Sequence, residues 1–246
     1  MEWFDCHAEI GRRTMPGALQ APDAAALAAL YDEIGVQRAL VVHAAMYEIH
    51  PENGNARVLT ETAPYPRFTP AWAIMPPQTE ELGNIPAFLT GMRAAGVRAL
   101  WAFPTGYLLN ALTFGPLFEE MVARRIPLLL KVGAVGWPAL HALMTEMPAL
   151  RVVAILSTVW GEDRYFRPLL ERFTGFHIAT SMYLLEGGVK ALCERYGPRQ
   201  LLFGTGFPDC QPGGSQFSLR YAGLRDDQLA AIAGGNLTRL LEEVTL

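Results

Sequence analysis

Short apolar runs rich in β-formers alternate along the chain with longer stretches whose apolar residues recur at a spacing near 3.6. The runs predict eight strands, over residues 3–7, 39–43, 68–75, 96–103, 127–132, 151–156, 175–181 and 200–205. Between them the helical spacing predicts helices over 23–34, 79–95, 113–125, 137–147, 166–173 and 188–196, with a last helix over 226–243 interrupted by Gly234-Gly235. The strands are short and apolar on both faces, which implies a parallel sheet covered by helices. The spacer over 44–67 is longer and less regular, and it could fold as a lid. The Pro/Gly-rich segment 208–214 reads as the loop after the last strand.

At 246 residues the chain has the usual length of a (β/α)8 barrel, and other single-domain α/β folds also fit. No repeat or linker divides it, so residues 1–246 are expected to form one domain. Apolar residues make up 51% of the chain and charged ones 18%, which suits a large core and excludes a disordered chain. A net charge of −4 without any basic block excludes nucleic acid and anionic membranes as partners and leaves small molecules. No signal peptide or membrane span is read, so a cytoplasmic protein is expected. Cys6, Cys193 and Cys210 lie far apart and form no CxxC pair, which suggests neither a disulfide framework nor a zinc knuckle.

Four segments in order carry a family resemblance. They are Asp5-Cys6-His7-Ala8-Glu9, Gly96-Val97-Arg98-Ala99-Leu100, the run from Leu201 to Pro208 with Gly204-Thr205-Gly206 at its centre, and the run from Gly235 to Leu241. Together they resemble the amidohydrolase-2 (amidohydrolase-related) family over nearly the whole chain. The resemblance implies an α/β fold, a (β/α)8 TIM-like barrel. It further implies a hydrolase, lactonase or decarboxylase acting on small carboxylate-bearing substrates, often as a homodimer.

The family's metal positions are filled differently here. Where it has His-x-His, this chain has His7 and Glu9; the histidine ending the fifth strand corresponds to Lys131, and the one after the sixth to Ser157. The aspartate of the last strand corresponds to Gly206, which has no ligating side chain. The resemblance alone would imply a divalent metal, zinc or manganese. The substituted residues imply instead that no cofactor is held, because an ammonium repels a cation.

Barrel enzymes build their sites at the C-terminal ends of the strands, and those ends supply the candidates. His7, with Glu9 beside it, is a candidate acid/base, since imidazole titrates near neutrality and a carboxylate can orient it. Lys131 could anchor a substrate carboxylate or attack a carbonyl; alternatively it forms an ion pair with Glu9 or Asp5. Period-two alternation places Asp5, His7 and Glu9 on one side of the first strand. Substrate-binding candidates at the other strand ends are Asp5, His43, Trp72, Trp101, Ser157, Trp160, Ser181, Tyr183 and Asp209. The residues thus leave open two functions: an enzyme without the family's usual metal centre, or an inactive barrel that binds or senses a small molecule.

Overall fold

The computed structural model describes residues 1–246 apart from Pro16, Ala18, Thr105, Ser157, Val159 and Trp160. Nine parallel strands run through the described residues: β1 (Phe4–Ile10), β2 (Arg38–His43), β3 (Phe68–Pro70), β4 (Trp72–Ala73), β5 (Leu100–Ala102), β6 (Leu128–Lys131), β7 (Val152–Ile155), β8 (Phe176–Ala179) and β9 (Leu201–Leu202). They form a sheet ordered β1-β2-β3 and another ordered β4 to β9. β3 and β4 are one segment that changes partners at Ala71, whose N–H donates to Val41 while that of Trp72 donates to Ala99. At the other seam Cys6 N–H donates to Phe203 O at 2.9 Å, which brings β9 back beside β1 and completes the circuit of a (β/α)8 barrel.

The helices are α1 (Ala24–Ile34), α2 (Ala45–Glu48), α3 (Pro51–Thr62), α4 (Ile85–Ala95), α5 (Ala111–Arg124), α6 (Val132–Val135), α7 (Trp137–Glu146), α8 (Asp163–Arg172), α9 (Gly188–Tyr196), α10 (Pro212–Arg220), α11 (Asp226–Ala230) and α12 (Asn236–Glu242). Helix α1 illustrates the local logic. Asp23 caps it by accepting from Ala26 N at 2.8 Å, Gly35 ends it at φ +72°, and Ala24, Leu27, Ala28 and Tyr31 form its buried face. No helix among the described residues is long and apolar enough to cross a membrane.

Several sequence expectations need correction. The irregular spacer over 44–67 contains α2 and α3; α3 starts at Pro51 behind an N-cap formed by His50, whose imidazole accepts from Glu52 N. Its interior Asn55 is polar for a structural reason: the amide exchanges hydrogen bonds of 2.7 and 3.1 Å with the backbone of Ala73, beside the break between β3 and β4. The strand expected over 96–103 shrinks to Leu100–Ala102, because Gly96 at φ +68° ends α4. Helix α4 itself starts at Ile85, behind the Asn84 cap, and not at 79. The loop expected over 208–214 already enters α10 at Pro212. The interruption at Gly234-Gly235 is a π turn that joins α11 to α12. A Cβ on Gly234 would lie 2.9 Å from Glu2 O, so glycine lets this turn press against the start of β1.

Candidate functional site

β1 runs three residues further than expected, and its pairing with β2 slips by one residue between Asp5 and Ala8. This bulge breaks the alternation that would have put Asp5 and His7 on one side. Asp5 is fully buried and reaches Tyr31 of α1 and Thr205 beyond β9. Its carboxylate accepts from the Tyr31 hydroxyl, Thr205 Oγ1 at 2.5 Å, Thr205 N at 3.1 Å and His7 N at 3.0 Å. Burial raises its pKa to about 6 against the lowering effect of these donors. Asp5 is therefore a clamp across the barrel seam, turned away from the substrate position expected of it.

His7 faces the other way. Its imidazole stacks on the Trp101 indole, with centroids 4.3 Å apart and planes at 22°. It lines a cavity of about 250 Å³ with Lys131, Ile155, Leu156, Ser181, Met182, Gly206, Asp209 and Cys210. These residues lie on the C-terminal halves of β1, β6 and β7 or just beyond the ends of β7, β8 and β9, the face where barrel enzymes place their chemistry. His7 Nε2 is buried without a hydrogen-bond partner among the described residues, and so is Ser181 Oγ. Burial, reinforced by the nearby charge of Lys131, depresses the His7 pKa well below the usual imidazole value and outweighs the opposing pull of Asp209. The ring is therefore neutral at pH 7.

A chain of four charges borders His7. Glu9 accepts from Arg13 Nε at 2.6 Å and from Arg13 Nη2 at 3.0 Å, a forked pairing that uses both carboxylate oxygens. The Tyr47 hydroxyl of α2 adds a bond to Glu9 Oε1 at 2.7 Å. Arg13 Nη1 reaches Asp209 Oδ1 at 2.7 Å, and Asp209 Oδ2 accepts from Lys131 Nζ at 2.6 Å. Burial favours the neutral acid at Asp209, yet the two cations hold its pKa down to about 2. Lys131 thus pairs with Asp209 and with neither Glu9 nor Asp5, the partners the sequence suggested.

The remaining candidates separate. His43 sits beneath Gly11, where a Cβ would come within 2.6 Å of the ring. Its Nδ1 accepts from Ala45 N and its Nε2 donates to Glu61, so both ring nitrogens are engaged outside the cavity of His7. Trp72 packs against Phe88 of α4 with ring centroids 5.6 Å apart, on the helix side of its strand. Trp101, one strand further on, is fully buried behind His7. Tyr183 donates to Asp163 at 2.8 Å and packs edge-on against Phe166, clear of the cavity. Ser157 and Trp160 lie outside the described residues.

Sequence reasoning missed Arg13, Tyr47, Met182 and Cys210. Arg13 lies in the turn after β1, where no periodicity marks a side chain, although Glu9 with a cation four residues on was a usable signal. Tyr47 was hidden in a spacer read as irregular. Cys210 and Met182 follow strand ends and were within reach of the same positional rule that selected Asp209 and Ser181.

A (β/α)8 barrel with polar and charged groups gathered at the C-terminal mouth defines the class of this protein. The amidohydrolase family model (the amidohydrolase-2 type) matches residues 4–242, and the chain belongs to that family. No curated protein matches it. Among solved structures it is similar to a probable 2-pyrone-4,6-dicarboxylic acid hydrolase from Acinetobacter baumannii with citric acid bound, at 14% identity and TM-score 0.74, covering 98% of this chain and 100% of that one. A dihydroxybenzoic acid decarboxylase from Polaromonas with bound manganese and the inhibitor 2-nitroresorcinol gives 13% identity and TM-score 0.71 over 98% of this chain and 97% of that one. An uncharacterized TIM-barrel protein from Bordetella bronchiseptica gives 18% identity and TM-score 0.72, covering 90% of this chain and 83% of that one. At such identities the likenesses establish the fold.

Proposed function

We propose that this protein hydrolyses, or decarboxylates, a small carboxylate-bearing substrate at the barrel mouth without the divalent metal that the family resemblance implies. The carrying observation is that a neutral, buried His7 and the ammonium of Lys131 line one cavity of about 250 Å³. Ile155, Leu156 and Met182 supply apolar lining, so the site suits a ligand with an apolar body and a charged end. Lys131 spends one of its three N–H donors on Asp209, which leaves donors for an incoming carboxylate.

The donor set fits a divalent ion poorly. Glu9 has both oxygens held by Arg13, and the guanidinium and ammonium already bring two positive charges to the centre. Gly206 offers no ligand, and among the described residues no group of three or more His, Cys, Asp or Glu side chains is placed to hold a metal. The chemistry of these side chains thus favours the metal-free reading over a centre like the manganese recorded in the Polaromonas relative.

In this reading His7 acts as a general base. A neutral imidazole accepts a proton from water, and the fixed charges of Lys131 and Arg13 stabilise negative charge developing on the attacked carbonyl oxygen. Hydrolysis suits this ring better than decarboxylation does, since a depressed pKa makes imidazolium scarce at pH 7 and a proton donor to carbon correspondingly rare. Attack by Lys131 on a carbonyl is disfavoured because its nitrogen is already engaged by the Asp209 carboxylate at 2.6 Å.

A second reading draws on the same ion chain. Glu9, Arg13, Asp209 and Lys131 balance one another, as they would in a barrel that binds a small molecule and no longer turns it over. Turnover of a panel of lactones, esters, amides and aromatic carboxylates by metal-stripped protein separates the two. The enzyme reading expects turnover that persists in chelator and disappears in His7→Ala and Lys131→Ala. Saturable binding without turnover establishes the second reading, and activity that requires added zinc or manganese overturns the metal-free proposal.

A further inference from the structure

At the opposite end of the barrel four guanidiniums gather round a second cavity of about 350 Å³. Arg151 leads into β7, Thr174 and Gly175 into β8, and Arg199 into β9, while Arg125 ends α5 and Arg239 and Glu243 come from the C-terminal helix. β7 connects this end to the mouth: Arg151, just before it, lines the lower cavity and Ile155, its last residue, the upper one. At the rise of a strand the two lie roughly 13 Å apart, so this is a separate place.

Glu243 is the one carboxylate lining the lower cavity. It accepts from Arg151 Nη2 at 2.5 Å and from Arg239 Nη1 at 3.4 Å, which leaves three positive charges uncompensated in a chain whose net charge is −4. Arg125 and Arg199 are exposed, and neither side chain has an ion-pair partner among the described residues. Arg151 Nη1 is buried without a hydrogen-bond partner among the described residues, a donor that costs free energy until an acceptor reaches it. The field has consequences for its neighbours. Burial lowers the Arg239 pKa with the help of Arg199 and Arg151, and it brings His177 down to about 4 with Arg239 and Arg151 acting in the same direction.

We propose that this pocket binds a small phosphate-bearing anion, held by Arg125, Arg151, Arg199 and Arg239 at the N-terminal face of the barrel. Phosphate suits it because one group bears close to two negative charges and several acceptor oxygens, enough to engage more than one guanidinium fork. Glu243 fixes Arg151 and Arg239 in place beforehand, and the two exposed arginines close on the ligand. The inference is independent of the reaction at the mouth.

Calorimetric titration of the full chain with inorganic phosphate and with pyrophosphate, at fixed ionic strength, tests it. Saturable one-to-one binding is expected, with pyrophosphate the tighter where two phosphates span the pocket. The double variant Arg125→Ala/Arg199→Ala removes no ion pair and should keep its fold by circular dichroism, yet bind about tenfold more weakly or worse. Lys131→Met should leave binding unchanged. Equal affinity in the double variant, loss of binding in Lys131→Met, or a response reproduced by sodium chloride would each overturn the proposal.

Discussion

Lys131 Nζ donates to Asp209 Oδ2 at 2.6 Å, and this contact ends the charge chain that begins at Glu9. Asp209 is about half exposed, so it faces arriving ligands while neutralising the two cations meant to hold them. Replacing Asp209 by Asn removes the competing charge and keeps the shape. Simple carboxylates such as benzoate should then bind about three- to tenfold more tightly, whereas Lys131→Met should weaken them about tenfold. Calorimetry on both variants checks the opposite signs; weaker binding in Asp209→Asn would show that Asp209 positions Lys131 more than it competes.

The titration of His7 should respond to the same two residues in opposite directions. Its folded pKa lies below the unfolded value near 6.5, chiefly through burial, so neutrality of the ring contributes stability present above pH 6.5 and lost as pH falls toward the folded pKa. Lys131 lowers the pKa and Asp209 raises it. Lys131→Met should therefore move the His7 titration upward and Asp209→Asn further downward. NMR of the imidazole carbons follows both shifts, and the acid limb of any pH-rate profile should move with them. A His7 that titrates at 6.5 in the unmodified protein would contradict the buried placement.

The sequence revealed the alternation of strands and helices because that signal is local: short apolar runs at β2, β6 and β7 stand between stretches of helical spacing, whereas the barrel itself was implied by the resemblance carried on four ordered segments. It also pointed to His7, Lys131, Ser181 and Asp209, since position at a strand end is itself a one-dimensional feature. It could not reveal their partners. A one-residue bulge turned Asp5 from the mouth to the seam, and the salt bridge from Arg13 to Asp209 spans 196 positions, which no local pattern encodes. Trp72 and Trp101 look alike in the chain and end on different sides of their strands, because the side is set by register with β4 and β5.

Gly206 shows why the family's aspartate is not regained by a single change. It adopts φ +73°, and a Cβ there would stand 3.2 Å from Ser181 Cβ and from both side-chain atoms of Cys210. Gly206→Asp should cost about 1–3 kcal/mol of stability from left-handed backbone and crowding together. It should also fail to create stoichiometric zinc or manganese binding, since Arg13 and Lys131 remain. Denaturant titration and metal analysis after dialysis check the two parts. For the unmodified protein, chelator should leave the melting temperature unchanged.

Asp5 supports the seam that brings β9 back to β1 from outside the cavity. Asp5→Ala leaves the Tyr31 and Thr205 hydroxyls and two backbone N–H groups without their acceptor inside the core, which should cost about 3–5 kcal/mol. Asp5→Asn keeps one acceptor oxygen but turns an N–H toward two hydroxyls that can rotate to accept, so its cost should be smaller, about 1–2 kcal/mol. The pH dependence has a definite sign. Burial raises the folded pKa from 3.8 to about 6, so this group's contribution is fully present below pH 3.8 and is lost as pH rises through about 6. Urea unfolding of the unmodified protein and of Asp5→Asn between pH 4 and 7 isolates that term. The stability difference between them should narrow as pH rises through 6, and a difference that widened would mean that the four donors outweigh burial at this carboxylate.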